Sequence, residues 1–285
     1  MKINLTNKSV LMTLLLVFAL ASSLTLVACG DDDDDDDNDD LADDDDDIAD
    51  DDDDDDAIDD DDDTGDDDDD TIEEADIRAL HLSPDAGVVD IYVDNSLLFV
   101  EGLDFTEGTT YGTVAAGDYV LNILPTGGDP ATDSVFDIPV TLEAARDYSA
   151  VVYGGLPVKG SGLSAFLIVD DTTDLAAGSF RLFVGHTADG VGEVDIWNIP
   201  EMGDPTLILE DVDYGDYAFL DLPAAAYTLG FDSDNDELPN YIFEIPELAA
   251  DAQYNVFAVL DGMDLFLIAQ LPDGSTVQID PSPIF

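Results

Sequence analysis

Two stretches of the 285-residue sequence place the same chemical groups at the same spacing. In HLSPDAGVVD, His81 stands nine residues before Asp90 with Asp85 between them; in HTADGVGEVD, His186 stands nine residues before Asp195 with Asp189 between them. Neutral imidazole beside carboxylates can ligate a metal ion or run general acid and base chemistry. A structural reading competes, and the residue types favour it. Asp85 follows Pro84 at a turn position where a carboxylate bonds to backbone. Asp90 opens a strand, so hydrogen bonds that fix the first loop explain the set as well. A third group, Asp232, Asp234 and Asp236 in DSDNDE, alternates like the start of a calcium loop. Glu237 stands where that loop requires glycine, and Phe243 where it requires a bidentate glutamate. The expectation is weakly bound calcium at most, set against a plain solvated acidic hairpin.

Other catalytic patterns fail on order or number. GLPVKGS, residues 155 to 161, puts its lysine before the second glycine, which excludes a phosphate-cradling loop. There is no His-Glu-x-x-His string, and the two histidines occupy equivalent positions, so a hydrolase would have to be built twice from one turn. The sequence reads as a non-enzyme without a cofactor.

The elements that position these groups repeat with a period of about 105 residues. IRALHLSPDAGVVDIYVD is answered by RLFVGHTADGVGEVDIWNI, YGTVAAGDYVLNI by FLDLPAAAYTLGF, DIPVTLEAARDYSAVVY by EIPELAADAQYNVFAV, and SAFLIVD by DLFLIAQ. Each copy consists of short runs rich in valine, isoleucine, leucine, phenylalanine and tyrosine, separated by turn residues, the pattern of an all-β sandwich. In Asp118 to Leu124, Tyr119, Leu121 and Ile123 fall on one face and Val120 and Asn122 on the other. Leu142 to Arg146 and Leu248 to Ala252 are too short for a stable helix and read as loops between strands. Tyr92 and Trp197, at matching positions, are expected in the core.

HLSPDAGVVDIYVDNSLLFVEGL followed by TTYGTVAAGDYVLNI resembles the bacterial extracellular family known as domain of unknown function 4397. The resemblance runs from residue 75 to about 280 and weakens in the second copy, where Thr187, Ala188, Asp189 and Gly190 replace Ser-Pro-Asp-Ala. It implies an immunoglobulin-like sandwich and brings no catalytic residues. The expected fold is therefore all-β: two tandem immunoglobulin-like modules, 75–175 and 178–285, after a disordered polyaspartate linker.

The N-terminal segment has Lys2 and Lys8, then an apolar run from Val10 to Leu20 that is short for a membrane span, then small residues. This is the layout of a secretory signal. Leu26-Val27-Ala28-Cys29 resembles the bacterial lipobox, which implies cleavage after residue 28, lipid on Cys29 and anchoring by two or three acyl chains. As the sole cysteine, Cys29 has no partner for an internal disulfide. Gly30 after it resembles lipoproteins sent to an outer membrane, so the expected location is the cell envelope.

Between Asp31 and Asp70, 31 of 40 residues are aspartate. Adjacent carboxylates about 3.5 Å apart in water repel by about 1.2 kcal/mol, twice the thermal energy, so residues 29–74 read as a swollen, disordered stalk. The formal charge of −64 becomes −66 once Lys2 and Lys8 leave with the signal, and residues 71 to 285 alone carry 39 acidic against four basic residues. Nucleic acid is excluded as a partner, since it needs cationic contacts. Three readings remain at this point. In one, the stalk is a spacer for modules that meet an extracellular or envelope partner. In another, the stalk itself binds divalent cations or mineral. An enzyme of unknown type is the remote alternative.

Overall fold

The structure, a computed structural model, describes residues 72–156, 162–234 and 236–282. Among these every regular element is a β-strand, and the turns between them carry the glycine, proline and aspartate punctuation noted above. The first eight strands form two antiparallel-rich sheets. Sheet I orders β4 (Gly112–Ala115), β1 (Glu74–Leu82), β7 (Asp147–Gly155) and β8 (Gly162–Val169). Sheet II orders β3 (Leu97–Leu103), β2 (Val89–Val93), β5 (Gly117–Pro125) and β6 (Phe136–Leu142).

The remaining strands follow the same order. Sheet III places β12 (Tyr217–Pro223), β9 (Ser179–His186), β15 (Gln253–Asp261) and β16 (Asp264–Gln270) side by side and adds β17 (Thr276–Ile279) at its edge. Sheet IV orders β11 (Thr206–Val212), β10 (Val194–Asn198), β13 (Tyr227–Asp232) and β14 (Tyr241–Ile245). Each half contains one parallel pair, β1 with β7 and β9 with β15, in otherwise antiparallel sheets. Matching tyrosines tie matching corners. Tyr119 donates to the Ala115 carbonyl and Tyr227 to that of Pro223, while the Tyr148 and Tyr254 hydroxyls accept from Glu143 and Ala249 N–H.

Period-two alternation decides what packs where. Along β1, Ala75, Ile77 and Ala79 face sheet II, where they meet Ile91, Leu121 and Ile123. Phe180, Leu182 and Val184 of β9 likewise meet Ile196, Phe231 and Phe243 of sheet IV. The intervening residues of both central sheets are buried too. Leu80, Leu82, Val151, Phe166 and Ile168 of sheet I pack against Phe183, Phe257, Val259, Phe266 and Ile268 of sheet III. The order of layers is thus II, I, III, IV, with a third apolar core between the two sandwiches. Residues 142 to 146 and 248 to 252 are connections without helix.

Two sequence expectations need correction. Tyr92 and Trp197 are only partly buried and belong to none of the three cores. In VDIYV and VDIWN the isoleucines 91 and 196 point inward, so the adjacent aromatic must take the outer face. Asn122, placed on the outer face, is nonetheless fully buried: its carboxamide accepts from Asn95 N–H at 2.7 Å and donates to Asp137 at 2.9 Å.

Candidate functional site

Each predicted histidine sits at the end of the first strand of its sandwich and is buried. His81 Nε2 lies 2.8 Å from the Gly87 carbonyl oxygen, so this nitrogen carries the proton; Nδ1 accepts from Ser83 N–H at 3.3 Å. His186 repeats the arrangement with the Gly192 carbonyl at 3.0 Å and Ala188 N–H at 3.3 Å. An aromatic ring stands edge-on to each imidazole, Phe105 at 6.4 Å and Tyr214 at 6.3 Å. Burial lowers both histidine pKa values, against the opposing pull of the loop carbonyls. The neutral ring is therefore favoured, with both nitrogens engaged in closing the loop from residue 81 to 87 or from 186 to 192.

The aspartates do something different from what their spacing to histidine suggests. In both halves the second strand pairs with the third across a bulge, and the residue that bulges has positive φ: Gly102 at 68° and Asp211 at 56°. Asp90 accepts the Gly102 N–H at 2.7 Å, and Asp195 accepts that of Asp211 at 2.8 Å. A bulge leaves one N–H outside the ladder, and the repeated Val-Asp-Ile string supplies its acceptor. Asp90 also accepts from Gly127 N–H at 2.8 Å and Thr126 Oγ1 at 3.0 Å. Desolvation opposes its ionisation, yet the Gly127, Gly102 and Thr126 donors outweigh it and hold the carboxyl below its usual range. The contacts of His81 and Asp90 thus lie on separate backbone groups. Asp85 and Asp189 also interact with their surroundings.

The hairpin joining β13 to β14 does gather its acidic residues. Ligand oxygens of Asp232, Asp234 and Asp236 all lie within 4.8 Å of one another, with Asp232 buried and the other two exposed. Asp232 accepts from Asp234 N–H at 3.2 Å and Glu237 N–H at 2.8 Å, so it shapes the turn that presents its neighbours. Three hard oxygen donors suit calcium in type and fall short of the six to eight that a tight site supplies.

The most elaborate polar assembly was not apparent from the sequence. It lies in the same inter-sheet space as the third core. Arg78 on β1 is 1% exposed, and its Nη2 lies 3.1 Å from Asp170 Oδ2. Its Nε donates to Ser149 Oγ at 2.7 Å, and Nη1 to the carbonyls of Leu271 at 2.6 Å and Pro272 at 3.2 Å in the other half of the molecule. The guanidinium carbon stands 4.6 Å from the centre of the Tyr111 ring. Asp170 accepts further bonds from Tyr111 and Ser149 hydroxyls, each at 2.5 Å, and from Gln253 Nε2 and Asn255 Nδ2 at 2.9 and 3.0 Å. Burial and the Asp170 charge raise the Tyr111 pKa far above its ordinary value, which keeps its hydroxyl a donor. The network extends through Asn255 to Gln270, whose Nε2 is buried without a partner, and joins residues about 190 positions apart. It can fix the two sandwiches in one register, and it contains no nucleophile paired with a free base.

A cavity of about 570 Å³ opens beside Phe105, Thr106, Tyr241, Asp261, Met263 and Phe266, and none of the predicted histidine or aspartate candidates lines it. Cys29 and the polyaspartate segment lie outside the described residues.

Residues 75–197 match the family model described as Domain of unknown function (DUF4397). The matched segment starts in β1 and runs through the first sandwich into β10. No curated protein matches the chain. Among solved structures, one titled "Alpha-glucan binding by a streptococcal virulence factor" is similar at 13% identity and a TM-score of 0.23, covering 64% of this chain and 92% of that one. Another, "The Bacillus anthracis TIE protein", is similar at 12% identity and a TM-score of 0.18 over 73% of this chain and 44% of the other. At these scores neither likeness carries an argument about function.

Proposed function

We propose that the protein is a non-catalytic cell-envelope lipoprotein in which two tandem β-sandwich modules are displayed on an acidic stalk to meet an extracellular or envelope partner. The observation that carries this reading is the engagement of His81 and His186, whose ring nitrogens both serve backbone groups in their own loop. The groups best suited to chemistry act as loop fasteners, and they do so twice. Matching strand orders and matching tyrosine bonds support the duplication of residues 75–175 in 178–285. Lipid on Cys29 and placement in the outer membrane or at the cell surface rest on the sequence of the first 30 residues.

Two measurements test this. Mass spectrometry of the native membrane fraction is expected to find Cys29 as a lipidated N-terminal residue; an intact, unmodified chain there would overturn the anchor. Exchange of residues 31 to 70 for a glycine-serine chain of equal length is expected to preserve display and partner capture, with shorter reach, since such a chain coils to about 35 Å. Loss of function with display retained would shift the role to the aspartates themselves. That second reading, divalent-cation binding, draws support from the convergence of Asp232, Asp234 and Asp236.

A further inference from the structure

Strands β4 and β12 occupy equivalent edges, each beside the first strand of its half, and the chain finishes them differently. β4 has four residues, Gly112–Ala115, and the ring that precedes it, Tyr111, is drawn over Arg78 with its hydroxyl on Asp170. β12 has seven, Tyr217–Pro223, paired with β9 from end to end without a register shift. Its counterpart of Tyr111 is Phe219, which is 42% exposed, and Tyr217 two residues earlier is 55% exposed. Period two puts both rings on one face. There Tyr217 lies flat on Phe183 and Phe219 stands edge-on to it, each with ring centres 5.2 Å apart, so the exposed pair is held firmly from beneath.

The backbone of the same residues is unpaired on its outer side. His186 N–H bonds to the Asp216 carbonyl and Ala224 N–H to that of Gly178, so the opposed pairs that exchange hydrogen bonds with β9 are those at even positions of β12. The N–H and C=O groups of Tyr217, Phe219 and Asp221 therefore point away from β9, and among the described residues no strand lies on that side. Pro223 has no N–H and closes the row. Edges are protected by shortness, bulges or charge: β4 is short, and β3 and β11 are bulged. β12 instead carries outward donors and acceptors and two exposed aromatic rings on the same alternate residues, a combination that suits a peptide backbone better than a stacked sugar.

Charge decides what fits. Asp213 and Asp216 are exposed at the entry to β12, Asp221 is already matched by the Arg181 fork at 2.8 and 2.9 Å, and residues 71 to 285 carry 39 acidic against four basic residues. A second copy brings the same negative excess, and so does the polyaspartate segment, so neither is drawn to this edge. We propose that β12 is a strand-addition site for an extended, cationic segment of a partner protein, aligned antiparallel, whose alternate side chains are β-branched or aromatic and cover Tyr217 and Phe219. Its backbone completes the outer ladder at 217, 219 and 221, and its basic residues lie toward Asp213 and Asp216. This deepens the display reading by naming the kind of partner, and it rests on that reading for where the partner is met.

The probe is an acetylated, amidated peptide with valine at its third, fifth and seventh positions, threonine between them and two lysines at each end, titrated into the full mature chain carrying Cys29→Ser. Amide exchange by NMR is expected to find the N–H groups of Tyr217, Phe219 and Asp221 fast in the free chain and protected with the peptide, while those of Ala218, Leu220 and Leu222 are protected throughout. Methylating the three valine nitrogens removes the donors that face β12 and should weaken binding about tenfold or more, whereas methylating the threonine nitrogens should change it less than about threefold. The Tyr217→Thr, Phe219→Thr variant keeps strand-forming residues and should likewise lose about tenfold. Should that variant fail to fold, the two methylated peptides decide the matter on the unchanged aromatic pair. Protection of 217, 219 and 221 in the free chain, equal weakening by both methylations, or a response of these residues to cellohexaose and none to the peptide each overturn the proposal. None of these outcomes touches the display reading, which stands or falls on the lipid at Cys29 and on the stalk exchange.

Discussion

Arg78 and Asp170 form an ion pair at 3.1 Å with side chains only 1% and 6% exposed, in the space between two sandwiches that each have a core of their own. Breaking a buried pair leaves the surviving charge without compensation, at a cost of about 3 to 5 kcal/mol. Arg78→Met and Asp170→Asn are each expected to lower stability by that amount in urea unfolding. The double substitution should cost well under the sum, because neither charge is then stranded. It should still not be neutral, since Tyr111, Ser149, Gln253 and Asn255 are left with one carboxamide oxygen in place of the two carboxylate oxygens they share.

The two histidines make stability depend on pH. Both folded pKa values lie below 6.5, so the unfolded chain takes up protons first as pH falls. Their contribution is fully present above about pH 6.5 and is lost as pH drops through the lower folded values. The urea midpoint is expected to fall between pH 7.5 and 5. The His81→Gln, His186→Gln double variant should show a flatter profile over that window, and an unchanged slope would refute the assignment.

Gly154 lies in β7 with a φ of 91°, where an added Cβ would collide with the Gly162 carbonyl and sit 2.7 Å from the Tyr214 hydroxyl of the other sandwich. Gly154→Ala is expected to cost about 1 to 3 kcal/mol through backbone strain alone. The Tyr214 hydroxyl is itself buried without a hydrogen-bond partner. Tyr214→Phe should therefore raise stability by about 1 kcal/mol, a gain read directly from thermal unfolding.

Calcium offers a measurement on the acidic hairpin. A site with a dissociation constant of about 1 mM would add about 1.4 kcal/mol at 10 mM calcium. Asp234→Asn with Asp236→Asn is expected to abolish that gain and leave stability without calcium nearly unchanged, because both residues are exposed. Asp232→Asn should be costly in either condition, since its carboxylate holds two N–H groups of the turn. A calcium effect of equal size in the Asp234, Asp236 variant would place the ion elsewhere.

The strands and the sandwich class were legible because period-two alternation and turn residues are local signals. The bulge capped by Asp90 was half legible: the repeated Val-Asp-Ile string marked the residue, but its acceptor role depends on Gly102, twelve positions away and in another strand. Arg78 was illegible. Read alone it is a charge in a strand, ordinarily on the surface, and the carbonyls that receive it lie at positions 271 and 272. A usable sign existed in the continuous apolar runs at residues 150–153 of β7 and 256–260 of β15, in strands buried along most of their length. Such runs indicate burial on both faces, which a free-standing two-sheet module does not require.

The parallel pairing of β1 with β7 has a mechanical consequence. β1 is the first strand after residue 73 and lies between β4 and β7, with seven residues in register against β7 and four against β4. Tension on the chain ahead of Ile72 acts along the strand axis. It loads these ladders together in shear, where hydrogen bonds must fail collectively, instead of peeling them one at a time. A chain held from its N-terminal side is thereby loaded through a strand that carries a ladder on each flank.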